Sequence, residues 1–87
     1  MYTGQSLTAA IYPNPTTGNF QLTLNEQLIT KGQVHITDLS GKTLMSFEIL
    51  NPSLSINLSQ LVDGCYIYRI EDENAHVLLT GRVLKVN

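Results

Sequence analysis

The sequence predicts an all-β domain, an immunoglobulin-like β-sandwich of about seven antiparallel strands. Three observations carry that expectation. Apolar residues recur at every second position in successive short runs, turn-forming residues separate the runs, and only one turn, Ser59 to Val62, has helical spacing.

The runs follow in order. Leu7, Ala9 and Ile11 open the chain. Phe20, Leu22 and Leu24 alternate with Asn19, Gln21 and Thr23. Val34 and Ile36 alternate with Gln33, His35 and Thr37. Met45, Phe47 and Ile49 form the next run, then Leu54, Ile56 and Leu58, then Tyr66, Tyr68 and Ile70. Each pattern describes a strand with one face buried and the other wet. The last run, His76 to Val86, changes apolar parity, from Val77 and Leu79 to Leu84 and Val86, with Gly81 between. A glycine at such a switch predicts a β-bulge; the alternative is a strand apolar on both faces.

Turn chemistry fixes the boundaries. Pro13 and Pro15 flank Asn14 and lack amide donors, so this stretch is a turn or an extended kink, completed by Gly18. Asp38 to Lys42 is a hairpin signal, in which Asp38 accepts from the backbone two residues on and Gly41 supplies a positive φ. Asn51-Pro52 and Glu73-Asn74 are further breaks. In the Ser59–Val62 turn, Ser59 is the expected cap and Gly64 the exit. Leu61 to Tyr66 has the order of a tyrosine corner, with the Tyr66 hydroxyl folding back onto upstream backbone.

Composition narrows the function. The 87 residues, 43% hydrophobic and 14% charged, fit one small domain with a core and little volume for a deep cleft. Five basic residues against seven acidic ones, with no basic stripe, exclude a nucleic-acid partner. A single cysteine, Cys65, rules out an intrachain disulfide and leaves the redox compartment open. No apolar run reaches the ~20 residues of a spanning helix. The opening residues have no signal-peptide character, so the chain reads as cytosolic or as a piece of a longer precursor, and the landmarks described below favour the piece, with Met1 added.

Catalytic and metal chemistry find little support. Cys65 with His35 or His76 lacks an activating environment, since both histidines alternate with apolar residues and are expected to face solvent. Glu71 to Asn74 is an acidic hairpin tip without calcium-loop spacing. Neither a Cys/His metal spacing nor a phosphate-cradling glycine loop exists, and the reading calls for no cofactor. Aromatic residues outside the core pattern are few, Tyr2 and Tyr12, which argues against a sugar platform.

Three landmarks, in order, resemble the C-terminal sorting domain, type A, of proteins exported by the type IX secretion system of Bacteroidetes. The first runs Tyr12-Pro13-Asn14-Pro15-Thr16-Thr17-Gly18-Asn19-Phe20. The second is Val34 to Lys42, with its D-x-x-G-K hairpin of Asp38, Gly41 and Lys42. The third joins Leu61 to Ile70, containing Gly64 and Tyr66, to the ending Gly81-Arg82-Val83-Leu84-Lys85-Val86. Cys65, between Gly64 and Tyr66, is unusual for the pattern. The resemblance spans Tyr12 to Asn87, leaving 1–11 as residual linker and first strand and 12–87 as the sorting domain.

The resemblance implies a non-catalytic signal for a passenger lying N-terminal to it. The passenger would transit the periplasm and pass an outer-membrane translocon with the help of shuttle proteins, reaching the cell surface or the medium. A sortase-like cysteine peptidase would then cut upstream of Tyr12, within Tyr2 to Ala10 or before Met1. The expected main contact with the translocon is the terminal segment Gly81, Arg82, Leu84, Lys85 and Val86, with the Asp38–Lys42 hairpin secondary. Gly41, Gly64 and Gly81 serve either that contact or backbone geometry alone. The alternative function is a non-catalytic accessory or carbohydrate-binding module of an extracellular enzyme.

Overall fold

Among the described residues seven strands form where the alternating runs lie. The computed structural model describes residues 8–24 and 31–86, so Leu7 and Tyr2 fall outside the described residues. The strands are β1 (Ala9–Tyr12), β2 (Asn19–Leu24), β3 (Gln33–Thr37), β4 (Thr43–Glu48), β5 (Ser53–Asn57), β6 (Gly64–Glu71) and β7 (Val77–Lys85). Three of them make one sheet in the order β1-β2-β5, and four make a second in the order β4-β3-β6-β7. Every strand pair is antiparallel. The chain crosses between sheets after β2, β4 and β5, the Greek-key connectivity of an immunoglobulin-like sandwich.

The core is the meeting of the two inner faces. Phe20, Leu22, Leu24 and Ile56 come from the three-stranded sheet, and Val34, Ile36, Tyr66, Tyr68, Ile70 and Val83 from the four-stranded one. Their burial into one cluster is what the period of two in the sequence encodes, at roughly 1.5–3 kcal/mol for each large side chain removed from water. The Tyr66 hydroxyl donates to the Val62 carbonyl, closing the tyrosine corner and letting a polar aromatic sit inside.

Two hairpin loops are built alike. In the β3–β4 loop the Asp38 amide donates to the Lys42 carbonyl and its carboxylate accepts from the amides of Ser40 and Lys42, at 2.9 and 3.0 Å. In the β6–β7 loop Asp72 bonds His76 in the same way, and its carboxylate accepts from the amides of Asn74 and His76, each at 2.9 Å. The fourth residue of each loop needs a positive φ: Gly41 at 94° meets this freely, whereas Ala75 does so at 65°. Changing Ala75 to Gly is therefore expected to stabilise the domain by about 0.5–1 kcal/mol, read as a higher urea midpoint.

The same loops set an acid limit. Hydrogen bonds hold both carboxylates below their ordinary value of 3.8, chiefly from the Ser40 hydroxyl for Asp38 and the His76 amide for Asp72. A depressed folded value gives stability that is complete above 3.8 and is lost as pH falls through the folded values. The Asp38→Asn, Asp72→Asn double variant is expected to lose less stability on acidification below that point. Parallel acid-unfolding curves for the two proteins would contradict it.

Three local expectations are corrected. The bulge of β7 is not at Gly81. Pairing with β6 is regular from Lys85 to Leu79, and the register shifts only where Ile70 pairs Leu79 and Glu71 pairs Val77, leaving Leu78 as the extra residue. From Leu79 to Lys85 the inward positions are Leu79, Gly81, Val83 and Lys85, so parity does not switch at Gly81; it switches at the Leu78 bulge, beyond which Val77 is exposed, and the strand carries apolar side chains on both faces. The Ser59–Val62 segment is a turn, closed by the Leu61 amide on the Leu58 carbonyl, and the residue that caps it is Asn57, which accepts from the Ser59 amide. His76 sits in the loop before β7, and His35, though on the outer face, is largely covered.

Candidate functional site

The last strand is where the first and third of the sequence landmarks meet. Around the Tyr12–Pro15 corner both X–Pro bonds are cis. The corner brings Asn14 and Thr16 against the outer edge of β7. The Thr16 amide donates to the Leu84 carbonyl and the Val86 amide donates to the Thr16 carbonyl, each at 2.8 Å, a short parallel bridge. Asn14 extends the arrangement with its side chain. Its Oδ1 accepts from the Leu84 amide at 3.0 Å, and its Nδ2 donates to the Arg82 carbonyl at 3.3 Å. A primary amide offers one acceptor and two donors, so Asn14 stands in for a strand's backbone there.

Thr16 is completely buried, and its hydroxyl is satisfied locally. It accepts from the Gly18 amide at 3.0 Å and donates to the Asn19 carbonyl at 2.7 Å. The following residues return into β2, where Phe20 is core. The motif residues Pro13, Asn14, Pro15, Gly18 and Phe20 therefore join the first hairpin to the final strand.

Lys85 lies on the inner side of β7. Its side chain is 9% exposed, and its ammonium reaches Asp63 Oδ1 at 2.9 Å, with Asp63 half exposed at the rim. Asp63 immediately precedes Gly64, which has a φ of 158° and pairs with Lys85. Gly81 is needed for a different reason. It lies under the ring of Tyr68, and a methyl group there would stand 2.3 Å from both Cζ and the hydroxyl oxygen. The covering of that ring also pushes the Tyr68 hydroxyl's pKa up.

The outward positions of β7 are accessible. Arg82 is exposed, and Leu84 and Val86 are 41% and 37% exposed. Leu84 pairs with half-buried Cys65, and Arg82 with Ile67. In the β3–β4 hairpin, across the sheet from β7, Lys42 and Leu39 are exposed, and Asp38 spends its carboxylate on the loop itself. Tyr12 is also exposed.

Another polar group sits on the outer face of the four-stranded sheet. Glu71 holds Arg69 Nε at 2.7 Å and His35 Nε2 at 3.2 Å, and His35 Nδ1 lies 2.7 Å from the Ser46 hydroxyl. Ser46, His35 and Glu71 share the connectivity of a hydrolytic triad, but Ser46 is exposed on an edge strand, and the set is a cross-strand network tying β4, β3 and β6. Among the described residues no group of three or more His, Cys, Asp or Glu side chains is placed to hold a metal ion.

Sequence reasoning named Asn14, Gly81 and Lys85 but not what each touches. It passed over Thr16 as a site and Asp63 as the partner of Lys85. Contacts from Asn14 to Arg82 and Leu84 span about seventy residues and leave no local pattern. Thr16 did have a signal, since a threonine two residues before a turn glycine is placed for a side-chain-to-backbone bond.

The fold and these junctions define a Greek-key sandwich in which the first and third landmarks meet at the last strand, while the second lies across the four-stranded sheet on β3 and its loop. The chain belongs to the family of secretion system C-terminal sorting domains, whose sequence model matches residues 10–83. It is a sorting signal of type IX secretion, a class that is not catalytic and that engages the secretion machinery on behalf of a passenger domain. Cargo of this system is exported to the cell surface or the extracellular space. No curated protein matches the chain.

Proposed function

We propose that this domain guides a passenger through the periplasm to the outer-membrane translocon, with shuttle proteins handling the exported cargo, and that a sortase-like cysteine peptidase then removes it upstream of Tyr12. The sorting unit is 12–87, with 1–11 as linker and first strand. The cut falls within Tyr2 to Ala10 or before Met1. The main contact is the Gly81–Val86 segment, and the Asp38–Lys42 hairpin is secondary.

One observation carries the contact assignment: the terminal strand shows Arg82, Leu84 and Val86 to solvent while being fixed from three sides. Within the segment the labour divides. Arg82, Leu84 and Val86 meet the machinery. Lys85, turned onto Asp63, and Gly81, beneath Tyr68, hold the strand in place for them. In the hairpin Lys42 is the contact, and Asp38 and Gly41 shape the loop.

Portability is the test. A folded reporter carrying an inner-membrane export signal and this domain at its C-terminus is expected outside cells that possess type IX secretion, and inside cells in which the translocon is deleted. Failure to leave the intact cells would return the domain to the accessory-module reading.

A further inference from the structure

The edge of β7 is only partly closed, and what remains open has defined limits. In an antiparallel pair, alternate residues turn both backbone groups away from the partner. Leu84 does so, since its amide and carbonyl serve Asn14 and Thr16. With regular register back to Leu79, Arg82 and Thr80 turn outward as well. Asn14 takes the Arg82 carbonyl. The Arg82 amide and both backbone groups of Thr80 have no partner among the described residues. On the far side the bulge at Leu78 breaks the ladder. A bulge and a covering loop are both devices that blunt an exposed edge. Here they bracket one short gap that none of the described residues pairs.

The side chains around the gap are also selective. Arg69 and Lys85 have carboxylate partners, Glu71 and Asp63, while Arg82 has none among the described residues. On the same outer face Leu84 stands two residues along from Arg82, and Ile67 stands across from it.

We propose that the Thr80–Arg82 gap is a strand-addition slot, filled by an extended segment of an outer-membrane component of the secretion machinery that carries an acidic side chain beside Arg82 and an apolar one toward Leu84. Asn14 is then a positioning residue: it ends the slot at Arg82 and fixes where the incoming strand begins. Backbone hydrogen bonds supply the attraction, and the alternating side chains supply the choice of partner. The inference rests on the sorting function proposed above and adds the place and chemistry of contact.

Proline at position 80 tests the slot directly. It removes an amide that points away from β6, and an edge strand tolerates proline there. The reporter fusion is made with Thr80→Pro and with Arg82→Glu, each checked by thermal melting. Both are expected to melt near the unsubstituted fusion and to lose export. A folded Thr80→Pro fusion exported at the normal level overturns the slot. Should Thr80→Pro fail to fold, Arg82→Glu decides alone, and its normal export overturns the acidic partner. If the unsubstituted fusion stays inside the cell, the sorting reading itself fails, which the variants cannot mimic.

Discussion

Replacing Gly81 with alanine is expected to cost about 3 kcal/mol of stability and to lower the melting temperature by roughly 15 °C. The cause is overlap. The new methyl would lie 2.3 Å from Cζ and the hydroxyl oxygen of Tyr68 and 2.6 Å from Cε2, far inside contact distance. Tyr68 is a core side chain, 7% exposed, so its ring has little room to swing aside, and β7 would have to lift instead. Such a loss is a large share of what a domain of this size has to spend. The effect belongs to the pair. In a Tyr68→Ala background, where the ring is gone, Gly81→Ala should cost less than about 1 kcal/mol. Urea unfolding of the four proteins in the cycle measures this. A Gly81→Ala protein as stable as the parent would remove the packing explanation and return Gly81 to a contact role.

The strands were legible in the sequence because a half-buried strand writes its burial in alternate letters. Phe20, Leu22 and Leu24, or Val34 and Ile36, can only face one way once a second sheet covers them. The two aspartate loops were partly legible. Asp38 with Gly41 gave a clear turn signal, whereas Asp72 with Ala75 builds the same loop with alanine in the glycine place. The last strand was misread for a physical reason. At an edge, apolar residues are not confined to the inner face, so Leu84 and Val86 resembled core while Val83 and Lys85 are what point inward. A lysine inside is invisible to a pattern that sorts residues by polarity, because its burial depends on Asp63, supplied by another turn. The Asn14 and Thr16 contacts were hidden by distance along the chain.

Lys85 and Asp63 make the second large prediction, and its signature is an asymmetry. Removing Asp63 leaves an ammonium group in a largely covered position without its acceptor, and Asp63→Ala is expected to cost about 2–3 kcal/mol, just under the ~3–5 kcal/mol for breaking a fully buried pair because Asp63 is itself half exposed. Removing the charge at Lys85 while keeping the stem is different. Lys85→Met retains a flexible chain of similar length and leaves Asp63 in water, so its stability should stay within about 1 kcal/mol of the parent. Lys85→Ala, which also empties the space, should fall with Asp63→Ala. Equal losses for Lys85→Met and Asp63→Ala would show that the pair is a net source of stability, against this account. The same variants separate holding the strand from being read. A folded Lys85→Met domain should still export its reporter, because the charge faces Asp63 and the outward side chains of β7 are unchanged. If that folded protein stayed inside the cell, the ammonium group would be part of what the machinery reads, despite its inward position.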